Sequence, residues 1–341
     1  MFPLGRPSRR CLALALAAYP TGAAAAPWVF DPGRVLPGSG GVTQKLELVD
    51  INADGFVDLV FATSRGDNTG SDADAQFNAI ILNDKGAGFL GLLGVFDEPD
   101  NAFAIKAGDL DGDGDPDLVV GVNFGGQSYV ILHEGDAFSR LDIAPGTGTS
   151  IGDLELGDLD GDGDLDVLAV DWGDSQPFDD PQNPGGPVRL WLGDGLGGFT
   201  DGQDKLPLGM ESFVSWSHDL ELFDLDNDFD LDAAIASRGA GHALVLENDG
   251  AGNFSLHPVP PLQTPFKLVN SAFTVVDLNA DGALDLVTLQ DGPAGANTVL
   301  IGDGAGHFAD NVGAYWALVD NPPRRDFDAA TLDFNNDGAP D

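Results

Sequence analysis

"DLDGDGDPDL", Asp109–Leu118, places five aspartates within ten residues. Carboxylates this close repel one another, and such a charge block ordinarily marks a disordered acidic tract. The residues that follow exclude that reading. The stretch runs straight into Leu118-Val119-Val120, an apolar run of the kind that forms a buried strand. The aspartates must therefore be neutralised where they stand, and a hard dication that takes oxygen ligands does this.

The stretch recurs. Nonapeptides of the same pattern begin at Asp50, Asp109, Asp158, Asp224, Asp277 and Asp333, spaced 49 to 66 residues apart. Between them lies a second recurring element, seen in Leu82–Phe89, Leu192–Phe199, Leu246–Phe254 and Ile301–Phe308, with a degenerate copy at Leu132–Phe138. These glycine-rich turns follow apolar, strand-like runs, and Asx-Gly turns between strands signal hairpins. Each repeat thus reads as strand, acidic loop, strand, variable loop, strand, glycine turn, strand. One such sheet cannot bury both its faces alone, so neighbours must stack. The expected fold is an all-β propeller of four-stranded blades. Stacked acidic arrays have shorter periods and lack this much strand between their loops.

The acidic loop, glycine turn and period together resemble the FG-GAP and VCBS-type repeats of integrin-alpha-like propellers, over roughly residues 28–341. The resemblance implies seven blades, with calcium held by the loop between two strands of one blade. The chain stops at Asp341, the last ligand position of its sixth loop. The expectation is accordingly a fragment: five full blades and the start of a sixth.

Calcium takes six to eight oxygens, which carboxylates at alternate loop positions can supply. Positions one, three, five and nine are the expected side-chain ligands. They are Asp50, Asn52, Asp54 and Asp58 in loop one, and Asp109, Asp111, Asp113 and Asp117 in loop two. Loop three has Asp158, Asp160, Asp162 and Asp166; loop four has Asp224, Asp226, Asp228 and Asp232. Loop five has Asp277, Asn279, Asp281 and Asp285; loop six has Asp333, Asn335, Asp337 and Asp341. Asp115, at position seven, is expected to give its backbone carbonyl and turn its side chain to water. Gly114, at position six, permits a left-handed turn, and Phe229 at that place should weaken loop four. An EF-hand is excluded, since it needs a glutamate at position twelve where this chain has Val120. Up to six structural calcium ions are expected; magnesium rarely takes an all-protein cage.

Composition narrows the setting. The chain of 341 residues carries 15 basic against 56 acidic residues, a surface repelled by nucleic acid and by anionic membranes. Residues 1–25 read as a signal peptide: Arg6, Arg9 and Arg10, an apolar run from Cys11 to Ala18, then small residues. The propeller is then expected over 26–341. Ser8-Arg9-Arg10-Cys11-Leu12 fits either a general or a twin-arginine export signal. The one cysteine, Cys11, lies in that segment, so the rest of the chain has neither disulfide nor thiol chemistry.

Other candidates are sparser. Arg65-Gly66-Asp67 is an integrin-type tripeptide, although Ser237-Arg238-Gly239 suggests that Arg-Gly is turn chemistry of the repeat. None of His133, His218, His242, His257 and His307 has metal-ligand spacing. His218, beside Trp216 and Asp219, is placed to face a central channel, with Asp153 and Asp328 at the position of Asp219. The insertions Ser64–Gln76 and Asp171–Pro187 are where binding would reside. The second offers Trp172 and Phe178 for sugar stacking.

The functional expectation is a secreted calcium-binding propeller, extracellular or periplasmic and monomeric. It would act as a non-enzymatic binding or adhesion module for a protein or carbohydrate ligand, with no nucleic-acid partner and no membrane insertion. The alternative is a carbohydrate-active, polysaccharide lyase-like enzyme on the same scaffold.

Overall fold

The computed structural model describes residues 42–64, 77–92, 95–96, 98–135, 137–144, 146–173, 185–208, 217–237, 244–257, 270–290, 297–310 and 331. Among these residues, twenty strands make five antiparallel sheets, each a simple meander. The first holds β1 (Val42–Val49), β2 (Asp58–Ser64), β3 (Ala79–Asn83) and β4 (Phe89–Leu92). The second holds β5 (Ala102–Gly108), β6 (Asp117–Val122), β7 (Tyr129–Glu134) and β8 (Ala137–Asp142). The third holds β9 (Ile151–Gly157), β10 (Asp166–Asp171), β11 (Val188–Gly193) and β12 (Phe199–Asp201). The fourth holds β13 (Leu220–Phe223), β14 (Asp232–Ile235), β15 (Leu244–Asn248) and β16 (Phe254–His257). The fifth holds β17 (Asn270–Val276), β18 (Asp285–Gln290), β19 (Thr298–Gly302) and β20 (Phe308–Asp310).

The first strands touch in succession, β1 to β5, β5 to β9, β9 to β13 and β13 to β17. They are the inner strands, and the sheets are blades of a propeller. Among the described residues there is no α-helix, only a 3-10 turn at Gln203–Lys205. The expected five complete blades are present. The sixth repeat and residues 1–25 lie outside the described residues.

The core lies between blades rather than within them. Leu118, Val120 and Val122 of β6 pack toward the first blade with Val60 and Ile80, while Val119 packs toward the third with Leu154 and Val167. In β10, Leu168 and Val170 turn to the fourth blade, where Ala233 and Leu246 meet them. A strand buried on both faces reads as a continuous apolar run, which is why these segments do not alternate. The fourth and fifth blades join through Phe223, Val245, Phe273 and Leu300. The first blade differs on its other face. Leu46 is 47% exposed, whereas its equivalents Ile105, Leu154, Leu220 and Phe273 are all buried against the preceding blade.

In an antiparallel meander the first and third connections share one end. The acidic loops and the glycine turns therefore lie together, at the end opposite the one where β2 and β10 finish at Ser64 and Asp171. The degenerate turn is a tight hairpin, with Glu134 paired to Ala137 and Gly135 at φ 64°.

Candidate metal centres

Each of the five described acidic loops bridges an inner strand to its neighbour and ends on a buried aspartate. Asp58, Asp117, Asp166, Asp232 and Asp285 open the second strands, and all are at most 1% exposed. Both oxygens of each are engaged by backbone amides. Oδ2 accepts from position two of its own loop, namely Ile51, Leu110, Leu159, Leu225 or Leu278. Oδ1 accepts from the third strand, at Asn83, His133, Gly193, Asn248 or Gly302. Burial nonetheless holds all five carboxyls above the usual range, with Asp166 and Asp232 near 6, and the neighbouring loop aspartates push the same way. Two amides do not offset the loss of water around an anion crowded by others.

Positions one, three and nine converge. In loops two, three and four, oxygens of Asp109, Asp111 and Asp117, of Asp158, Asp160 and Asp166, and of Asp224, Asp226 and Asp232 lie within 4.8 Å of one another. Oδ1 of Asp160 and Oδ1 of Asp226 are buried without a hydrogen-bond partner. A buried anionic oxygen left unpaired is costly, and a cation at the point of convergence would satisfy it. The residues present thus fit a hard divalent ion. Asp113, Asp162 and Asp228, at position five, stand outside these groups and accept the amide of position seven. Loops one and five have Asn52 and Asn279 at position three; in loop five the Asn279 amide donates to Asp281 at 2.8 Å. Loop six lies outside the described residues.

Backbone conformation explains the spacing. Position six is left-handed in all five loops, at Gly55, Gly114, Gly163, Phe229 and Gly282. Phe229 holds φ 74° with its ring in water, 94% exposed, and loop four still closes its three-oxygen group. Position four is left-handed too, at Ala53, Gly112, Gly161, Asn227 and Ala280, a demand the glycine pattern of loops two and three hides. One expectation is corrected. Asp115 does not turn to water; it is half-buried and accepts the amide of Gly135 from the glycine turn of its own blade at 3.0 Å. The meander places that turn directly beside position seven.

The inner strands carry a second polar cluster. Lys45 on β1 meets Asp153 on β9 at 2.9 Å and lies 3.9 Å from Asp219, and Lys106 on β5 meets Glu155 on β9 at 2.7 Å. Asp153 accepts the amide of Leu220, and Asp219 accepts that of Phe273, each from the next blade. Burial, against the pull of Lys106, holds Glu155 near pH 7; burial and the Asp153 charge raise Asp219. These acids converge as the sequence suggests, but they are engaged with one another and with neighbouring strands.

The sugar-stacking expectation for Trp172 is corrected. The side chain is 3% exposed, and its indole N–H donates to the Ser217 carbonyl of the next blade. It packs edge-on against Phe103 and His218, with ring centroids 5.2 and 4.4 Å away. His218 therefore belongs to an aromatic seam between blades. His307 is exposed and pairs with Asp303, and His133 stacks on Phe138. Arg65-Gly66-Asp67, Arg238, His242, Phe178, Trp216 and Asp328 lie outside the described residues.

Blades repeated around inner strands, each with an aspartate-rich loop between its first two strands, define the class: a β-propeller with acidic, metal-compatible loops. The FG-GAP-like repeat matches at residues 50–120, 109–169 and 224–288, together more than half of the chain. The protein belongs to the FG-GAP-like repeat family. No curated protein gives a significant match to the sequence. Among solved structures it is similar to an Agrocybe aegerita lectin described as recognising non-reducing terminal N-acetylglucosamine. Identity is 21% and the TM-score 0.49, over 78% of this chain and 64% of the lectin. It is also similar to the V. cholerae biofilm matrix protein Bap1, with 18% identity and a TM-score of 0.45 over 80% of this chain and 40% of that one. A third is YCF48 bound to D1 peptide, with 12% identity and a TM-score of 0.44 over 79% and 66%. The chain thus spans less than two thirds of each of these proteins.

Proposed function

We propose that the protein is an exported, calcium-stapled propeller that serves as a non-enzymatic binding or adhesion module for an extracellular protein or glycan. The observation that carries the metal reading is the pair of buried, unpartnered oxygens on Asp160 and Asp226, two residues that belong to the converging carboxylate groups of loops three and four. Calcium supplies charge neutralisation there. The chain's own residues orient the carboxylates, through amides at positions two and seven and on the third strand. Each group lies within a single loop, which suits a structural ion better than one that must admit substrate. The binding reading rests on the insertions Ser64–Gln76 and Asp171–Pro187, since long loops on a rigid scaffold are where binding usually resides. Export rests on the signal-like first 25 residues; among the described residues no helix is long and apolar enough to cross a membrane.

The test is calcium stoichiometry by equilibrium dialysis together with thermal melting. Ions that bind only the folded state add about 2.7 kcal/mol per site at a hundredfold excess over Kd. Chelator should lower the melting temperature and millimolar calcium restore it. A melting curve indifferent to both overturns the structural-calcium reading. For the module itself, binding to extracellular glycans or proteins without turnover is the expected outcome. Depolymerisation of a polysaccharide would favour the enzyme reading, for which Glu155, held near pH 7 beside Lys106, is the specific observation.

A further inference from the structure

The residue at position two of loops two and three has two attachments that lead to different blades. Leu159 donates its amide to Asp166, the last ligand position of its own loop, at 2.8 Å. Its carbonyl accepts from Nδ2 of Asn248 in the fourth blade, also at 2.8 Å. Leu110 repeats the arrangement one blade earlier: its amide goes to Asp117 at 2.8 Å, and its carbonyl accepts the amide of Gly197 in the third blade at 3.0 Å. The side chains follow the same path. Leu110 and Leu159 are buried among residues of the next blade, as is Leu225 between the fourth and fifth.

Position four touches the same neighbour. A Cβ on Gly161 would come within 2.8 Å of the Gly250 carbonyl, and Asn227 donates to the Gly304 carbonyl at 3.1 Å. Each acceptor belongs to the glycine turn of the following blade. A ligand position is involved as well, since a Cβ on Gly252 would lie 3.1 Å from Cβ of Asp160. Three successive interfaces thus join an acidic loop to the next glycine turn.

We infer that ion occupancy of one loop sets the docking of the following blade. Position two acts as the positioning residue that carries the effect, and the glycine turn is the element that responds. This rests on the metal reading above. An ion drawing Asp166 toward position three fixes the Leu159 peptide, and the Leu159 carbonyl in turn orders Asn248 and its turn. Reciprocity requires that loosening the turn weaken the ion held in the preceding loop. A blade's own glycine turn meets its loop at other positions, seven to nine, as Gly135 does at Asp115 and Asn248 at Leu231 and Asp232.

The experiment compares the full chain with Asp160→Ala by hydrogen exchange, with calcium and with chelator, and counts bound calcium in each. Alanine removes the ligand oxygens but keeps the Cβ that faces Gly252, so Asp160→Ala should bind one ion fewer. Protection should fall about tenfold in the fourth-blade turn, residues 249–253. It should fall less in the third-blade turn, residues 194–198. Asn248→Ala is the reciprocal variant: it should raise the calcium concentration that half-fills loop three while leaving loop two unchanged. An ion count unaltered by Asp160→Ala refutes the metal reading of loop three. An ion lost with the fourth-blade turn unmoved refutes the coupling alone. Should Asp160→Ala not fold, exchange in residues 249–253 of the unmodified chain on calcium titration, with Asn248→Ala alongside, decides the matter in the same way.

Discussion

The carboxylate of Asp166 and the backbone amide of Gly193 meet at 2.8 Å across 27 residues of sequence. The bond ties the end of the acidic loop to the third strand, while the other oxygen of Asp166 holds Leu159. It needs no ion. Asp166→Ala should therefore destabilise even in chelator, by about 2–4 kcal/mol, because two buried amides lose their acceptor. Asp162→Ala, which removes only an acceptor for Asp164, should cost well under half of that in chelator. Urea unfolding of both variants with and without calcium checks the order.

Phe229 holds a left-handed backbone that suits glycine, and its exposed ring gains little from burial. Phe229→Gly should stabilise the protein by about 1 kcal/mol and tighten calcium at loop four. The converse substitutions should separate by their surroundings. Gly163→Ala meets open space and costs only backbone strain, whereas Gly161→Ala adds a clash with the Gly250 carbonyl. Melting temperatures should fall further for Gly161→Ala.

Glu155 is held near pH 7 in the folded protein, mainly by burial. The folded state therefore grips this proton more tightly than the unfolded chain does. Its contribution is favourable at low pH and is lost as pH rises from about 4.5 to 7. Glu155→Gln should remove that slope, leaving the variant more stable than its parent above pH 7 by up to roughly 3 kcal/mol, less what the Lys106 pair returns. Unfolding free energy measured from pH 4 to 8 tests this, and a slope shared by both proteins would place the titration elsewhere.

Gly152 lies where the Trp172 indole crosses to Ser217, and any Cβ there would meet both. Gly152→Ala should cost 3 kcal/mol or more, on the order of a buried overpacking defect with a broken hydrogen bond. Trp172→Phe, which keeps the ring contact with Phe103 and leaves the Ser217 carbonyl unpaired, should cost about 1–2 kcal/mol. Tryptophan fluorescence during unfolding reports on the first variant, and circular dichroism on both.

Blade count and loop position were legible because acid and glycine recur in register, and a repeat announces its own strands. Position nine was legible as a ligand position but not as a staple, since its amide partners lie up to 27 residues away. Position four went unread because Ala53 and Ala280 give no glycine signal for a left-handed turn. Position two went unread because a leucine in an acidic loop looks like spacing, and only the neighbouring blade shows what it anchors. Trp172 misled for a related reason: an aromatic beside an insertion reads as surface, while its place one residue past β10 carries it into the seam between blades.

Leu110, Leu159 and Leu225 each belong by sequence to one repeat and by packing to the next. The sequence period and the physical module are therefore out of phase by a loop. Gene duplication that copies whole periods preserves every seam, because each new loop arrives with the following turn already shaped for it. A cut made at the loop, by a protease or by an engineer, strands a leucine with no pocket.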